Sequence, residues 1–387
     1  MIYKFLLLLF TTLTLFAQEN LKEVLLPLKN EIKELEIKSI KEKKEINKYE
    51  WLDKPTVDFS HSKENESLDS KNYSININQK IADFGGISAQ IDYSNYLFKQ
   101  EALKIEMENL EDLNSLYENL IALKINEIDV KQNILNIQNS EIEVEIKKSS
   151  YKNGQNDISD LNDAIMKKNG FEDSKMQLQL EKVKYENELK KLTSYEISNL
   201  NFPNITLISK ESFLENASKN IYANLESTIS KTTYQKTKSS YLPALKLNAN
   251  YGIKDISEDE KNEDYYSYGA TISMPLSFTF SNDIEYSKLN YLQNKKKEEL
   301  IKIELTQVYE TSVETIKQLE NRINLAKKDI ELYEELLKLN QEEYKAGFKA
   351  IEDVQTLKNS KEIRNLDIEK YKLNIKKEIL NLYFQII

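Results

Sequence analysis

The 387-residue chain has no cysteine, one histidine, one tryptophan, seven glycines and five prolines. Without cysteine there is no disulfide framework, no thiolate nucleophile and no lipidation site behind an export signal. One histidine and seven glycines give no basis for a histidine metal cluster, a Ser-His-Asp triad or a glycine-rich phosphate cradle. Asp and Glu are plentiful, but they alternate with Lys along helical stretches and read as solvated faces. We therefore expect neither an enzyme nor a bound cofactor or metal. The net charge of −10 argues against a nucleic-acid partner, which would want a basic footprint. Long apolar runs are also missing. The one apolar stretch, Phe5–Phe16 after Lys4 and before Ala17, is interrupted by Thr11, Thr12 and Thr14 and reads as a secretory signal over residues 1–17.

What the chain does have is one ten-residue pattern used twice. Tyr151-Lys152-x-Gly154-x-x-x-Ile158-x-Asp160 recurs as Tyr344-Lys345-x-Gly347-x-x-x-Ile351-x-Asp353, 193 positions later. Glycine at the fourth place suits a helix end that needs positive φ. The carboxylate six residues on falls near the start of the next helix, where negative charge meets the positive end of the dipole. Each pattern therefore predicts the tip of a helical hairpin.

The segments around the tips repeat as well. Leu21–Tyr49 is charged and helical in period, with an interruption at Pro27. Two alternating stretches, Val57 and Phe59, then Tyr73, Ile75, Ile77 and Ile81, predict a β-hairpin over about 55–82. His61 lies near a strand end and reads as a solvated loop residue. After Gly85-Gly86 a helix of about 95 Å runs from Ile87 to Ser149. Its apolar residues keep step at seven: Leu116, Leu123, Val130, Ile137 and Val144 in one stripe, Ile121, Ile128, Leu135 and Ile142 in another. Strict sevens predict coiled-coil packing, and two stripes predict neighbours on both sides. A return helix follows over Ser159–Tyr195, with Gly170 as a soft spot inside it.

A linker over 199–208, carrying Pro203, separates this first repeat (18–198) from a second (209–387). The second repeats the plan: a helix over Lys210–Ser239, a β-hairpin over about 243–275 around the acidic loop Asp255–Asp264, and a second helical hairpin. Its long helix covers Asn282–Glu343. The stripe Ile316, Ile323, Ile330 and Leu337 keeps the same 193-residue offset. The fold class is thus mostly α with a small β part, a duplicated unit of β-hairpin plus long coiled-coil helical hairpin.

Strands that alternate in this way, rich in Tyr, suit an outer-membrane barrel. Four cannot close one, and open edges are not tolerated in lipid, so several chains must pool their strands. At this point the layout resembles the TolC-like outer-membrane efflux protein family. The two tips carry the resemblance, together with Gln79–Gly86, Tyr241-Leu242-Pro243 and Met274-Pro275-Leu276 at the strand ends. It implies a homotrimer whose β-barrel crosses the outer membrane and continues as an α-helical barrel in the periplasm. It implies a channel gated at the helical tips, serving a tripartite efflux pump or a type I secretion system. The partners would be a periplasmic adaptor and, through it, an inner-membrane pump or ABC transporter.

Carried over by position, Tyr344 and Lys349 would face Asp160, and Asp353 would line the entrance. Lys349 stands where an Arg is common, and Thr356 where a second Asp can occur. Tyr151, Gly154, Ile158, Gly347 and Ile351 would form the tip turns and the adaptor-docking surface. From the residues alone, Asp160 and Asp353 are also readable as helix N-terminal charges, and Tyr151 and Tyr344 as tip packing. The rival reading is a periplasmic coiled-coil scaffold that conducts nothing.

Overall fold

The computed structural model describes residues 23–63, 70–256 and 261–387; the expected signal and part of the acidic loop lie outside them. The helices are α1 (Pro27–Lys48), α2 (Gly86–Lys152), α3 (Ile158–Leu192), α4 (Lys210–Asn216), α5 (Ser218–Ser240), α6 (Phe280–Lys345) and α7 (Ile351–Tyr383). The strands are β1 (Thr56–Ser62), β2 (Ser70–Ala82), β3 (Ala244–Ile256) and β4 (Lys261–Ser273). Pro27 is not an interruption. It is the first residue of α1, where a fixed φ and a missing N–H cost a helix nothing. His61 lies within β1 and not in a loop.

The chain divides into two compact units that do not coincide with the sequence repeats, since each draws on both. A helical unit takes the described residues up to Glu31, Met107–Ala217 and Glu304–Ile387; a sheet unit takes Ile32–Glu106 and Ser218–Ile303.

In the helical unit the core gathers on α2. Leu110, Leu113, Leu116, Leu120, Ile121 and Leu123 are at most 2% exposed, beside Leu189, Phe213, Leu380 and Leu382. Each such burial contributes about 1.5–3 kcal/mol before chain entropy is charged against it. Burial fades along the stripes: Leu116 and Leu123 are buried, whereas Val130, Ile137 and Val144 are half-buried. Amides take over there. Gln132 is buried, and its Nε2 donates to the Ile363 carbonyl at 3.1 Å and Asp367 Oδ1 at 2.8 Å. Asn126 Nδ2 donates to the Leu178 carbonyl at 3.1 Å, and Asn359 Nδ2 to Asn139 Oδ1 at 2.8 Å. Lys370 pairs with Asp129. A buried amide tolerates only the alignment that satisfies it, so this stretch of the seam sets helix register more than it adds stability.

The helix expected over Lys210–Ser239 is broken at Ala217. The Asn216 carbonyl accepts from the Ile387 N–H at 3.1 Å, and Ala217 forms an isolated antiparallel bridge with Ile386. The chain end thereby takes the place of a helical hydrogen bond. Phe384 stacks on Tyr117 with centroids 5.7 Å apart.

The sheet unit holds one antiparallel sheet in the order β1-β2-β3-β4. Its register places apolar residues in rows: Val57, Ile75, Tyr251 and Tyr266 are successive partners, as are Ile77, Ala249 and Tyr268. The alternate rows are polar, for example Thr56, Asn76, Asn250 and Ser267.

Candidate functional site

The two tips close in the same way. At the first, the Gly154 N–H donates to the Tyr151 carbonyl at 3.0 Å and the Gln155 N–H to the Ser150 carbonyl at 2.9 Å. At the second, Gly347 donates to Tyr344 at 3.0 Å and Phe348 to Glu343 at 2.9 Å. Crossed bonds of this kind define a Schellman cap, which requires a left-handed residue after the helix; φ is +71° at Gly154 and +81° at Gly347. Ile158 and Ile351 each open the returning helix, with Asp160 and Asp353 in its first turn. The tips differ in one respect that the sequence pattern passes over. Asp157 caps α3 through its own side chain, whereas Ala350 at the matching place has no side-chain cap.

Tyr151, Ile158, Tyr344 and Ile351 are all exposed. Lys349 and Asp353 come together in a cleft of about 540 Å³ that they share with Asn139, Glu143, Lys147 and Lys167. Across it Lys167 pairs with Glu143 at 2.8 Å. Asp160 is exposed, and among the described residues no hydrogen bond or ion pair joins it to Tyr344 or Lys349 within one chain. Two helices of this unit also carry outward apolar side chains at coiled-coil spacing: Met176, Leu180 and Val183 on α3, and Leu325, Leu332 and Leu339 on α6.

The sheet has two chemically distinct faces, and the apolar one is bare. Val57, Phe59, Tyr73, Ile75, Tyr251, Tyr266, Tyr268 and Ile272 are all exposed. The polar face is cross-linked by its own side chains. Asn250 Nδ2 donates to Asn76 Oδ1, whose Nδ2 donates to Asp58 Oδ2 at 2.6 Å, and Asn248 Nδ2 donates to Thr271 Oγ1 at 2.8 Å. A Cβ at Gly252 would come within 2.4 Å of the Tyr265 ring, whose Oη donates to Asn72 Oδ1 at 2.9 Å. This contact was not readable from the alternation, which shows Gly252 only as a polar-face position.

Where the sheet passes into α6, Asp283 Oδ2 accepts from Tyr241 Oη at 2.5 Å and Thr279 Oγ1 at 2.9 Å. The Tyr241 bond, then that of Thr279, holds the Asp283 carboxyl below its usual range. Among the described residues no helix is long and apolar enough to cross a membrane, and no acidic or histidine group could hold a metal.

Residues 223–385 match the sequence model of the outer membrane efflux protein family. The fold agrees over nearly the whole chain. The outer membrane protein VceC of Vibrio cholerae superimposes with a TM-score of 0.73 at 14% identity, covering 96% of each chain. Part of the chain, less than half of it, thus resembles the outer membrane efflux protein family. Other solved structures with this fold are the CmeC channel of Campylobacter jejuni and the open MtrE channel of Neisseria gonorrhoeae. For CmeC the TM-score is 0.69 at 13% identity, covering 95% of this chain and 86% of that one. For MtrE it is 0.67 at 11%, covering 96% and 88%. No curated protein sequence matches the chain.

Proposed function

We propose that this chain is an outer membrane efflux protein, one protomer of a homotrimeric outer-membrane exit duct, gated at its helical tips and opened by a periplasmic adaptor. The observation that carries the reading is the sheet. One face is apolar and exposed, the other is a network of amides and hydroxyls, and β1 and β4 each leave an edge unpaired. Joining β4 of one copy to β1 of the next removes every edge, turns the apolar face to lipid and encloses the polar face. The outward stripes of α3 and α6 support the same assembly, because each is half of a coiled-coil seam. The helical barrel would then stand in the periplasm. The adaptor would dock on Tyr151, Ile158 and Ile351 around the turns at Gly154 and Gly347, and would carry cargo from an inner-membrane pump or ABC transporter.

In the gate we assign Asp160 to Tyr344 and Lys349, and Asp353 to the entrance. Exposed contacts of this kind are worth only ~0.2–1 kcal/mol each, so three copies make a latch that an adaptor can reverse.

The test is single-channel conductance of the purified mature protein in planar bilayers, beside an Asp160→Ala/Tyr344→Phe/Lys349→Ala variant. Small, mostly closed currents that rise in the variant are expected. Equal currents in both would keep the duct and reject this gate. Folded oligomers that pass no current would favour the non-conducting scaffold.

A further inference from the structure

From Tyr265 to Asn282 the chain carries no Asp, Glu, Lys or Arg, although 30% of the sequence is charged; no other uncharged run in it is as long. Its first part, up to Ser273, is β4, and α6 opens at Phe280. Between them lies the junction Met274–Thr279. There Leu276 is 92% exposed and Phe278 fully so, the two highest values among large apolar side chains of the described residues. The matching junction of the first repeat is only Asp83-Phe84-Gly85, shorter and charged.

Full exposure of two large apolar groups is costly in water, and here it is imposed by the junction's own bonding. Pro275 has no N–H to offer. Ser277 Oγ lies 3.0 Å from Thr279 Oγ1 and accepts from the Thr279 N–H at 3.1 Å. Thr279 Oγ1 in turn donates to Asp283, the carboxylate that also holds Tyr241. The Tyr241 and Phe280 rings lie 6.4 Å apart at the base. The two hydroxyls of the junction, Ser277 and Thr279, are thus bonded to each other, and the large apolar side chains Met274, Leu276 and Phe278 are exposed. A protein neighbour is recognised through polar groups as well as apolar ones, and this junction presents mainly large apolar side chains. The segment also runs on directly from the bare apolar face, whose β4 members are Tyr266, Tyr268 and Ile272.

We propose that Met274–Thr279 is a membrane-interface anchor, with Leu276 and Phe278 inserted at the boundary between lipid headgroups and acyl chains. Exposed aromatic and aliphatic side chains on a polar base bind that boundary in proportion to the apolar area they bury. The proposal rests on the reading that the apolar face of the sheet meets lipid.

The chain's single Trp51 makes a direct test available. In a Trp51→Phe background, Phe278→Trp and Tyr268→Trp are introduced separately into the full mature protein. Each variant is checked for helix content and reconstituted into phosphatidylcholine vesicles brominated at acyl carbons 6 and 7. Bromine should quench the emission of both variants, and aqueous acrylamide should leave that of F278W largely intact. If Y268W is quenched and F278W is not, a neighbouring copy covers the junction and the anchor is rejected while the lipid-facing sheet stands. If neither is quenched, the sheet does not face lipid, and both the anchor and the duct reading fall.

Discussion

Gly347 and Gly170 ask opposite things of one residue type. Gly347 sits at φ +81° with nothing within 4 Å of its missing Cβ, so its requirement is purely for backbone conformation. A β-branched residue in that region carries strain of about 1–3 kcal/mol. Gly347→Val should therefore open the second tip. Amide exchange across Glu343–Ile351 should accelerate, while oligomers still form because the strain is confined to the turn. Oligomers lost from the membrane would contradict this. Gly170 lies inside α3 with ordinary helical φ and equally empty surroundings, and no contact in the structure explains it. Gly170→Ala should raise stability by ~0.5–1 kcal/mol, since glycine there only adds disorder to the unfolded chain; a thermal melt decides it.

At the scale of elements, the closing of the helical unit rests on aromatic groups that lack charge. Burial pushes the Tyr117 hydroxyl up to about 12 and raises that of Tyr383 as well. A phenol whose folded pKa is raised stabilises the fold fully below its unfolded value near 10 and loses that contribution as pH climbs through its folded value. The alkaline limb of unfolding should thus fall between pH 10 and about 12, and Tyr117→Phe should make it shallower. An unchanged limb would mean that Tyr117 ionises without opening the unit. Elements governed by local pattern were legible beforehand. Gly154 and Gly347 announced the turns, and Val57, Ile75, Tyr251 and Tyr266 announced the strands. The break at Ala217 was not legible, because its cause is Ile387, far along the chain. The amide seam at Gln132 and the Gly252–Tyr265 contact were hidden for the same reason: their partners are fixed only by register.

At the scale of the whole molecule, α6 presents Leu325, Leu332 and Leu339 outward at sevenfold spacing. Leu332→Glu should abolish the proposed trimer in detergent while leaving the far-ultraviolet helix signal intact, because that side chain is more than half exposed within one chain. Native mass spectrometry separates the outcomes, and trimers that survive would remove α6 from the seam. The proposed gate was legible only as positions: Lys349 and Asp353 share a cleft, but Asp160 meets neither Tyr344 nor Lys349 inside one chain, so on this proposal its partners come from a neighbouring copy.

The open edges of β1 and β4 have a consequence for the cell. On the proposed outer-membrane reading, a protomer fresh from export carries two unpaired backbone ladders beside a bare apolar surface, the combination that seeds aggregation. Such a chain cannot wait. Its assembly is a race whose productive arm depends steeply on how many copies arrive together, so low expression or slow delivery favours loss to proteolysis. Periplasmic chaperones that mask strand edges would therefore limit yield before any property of the finished protein does.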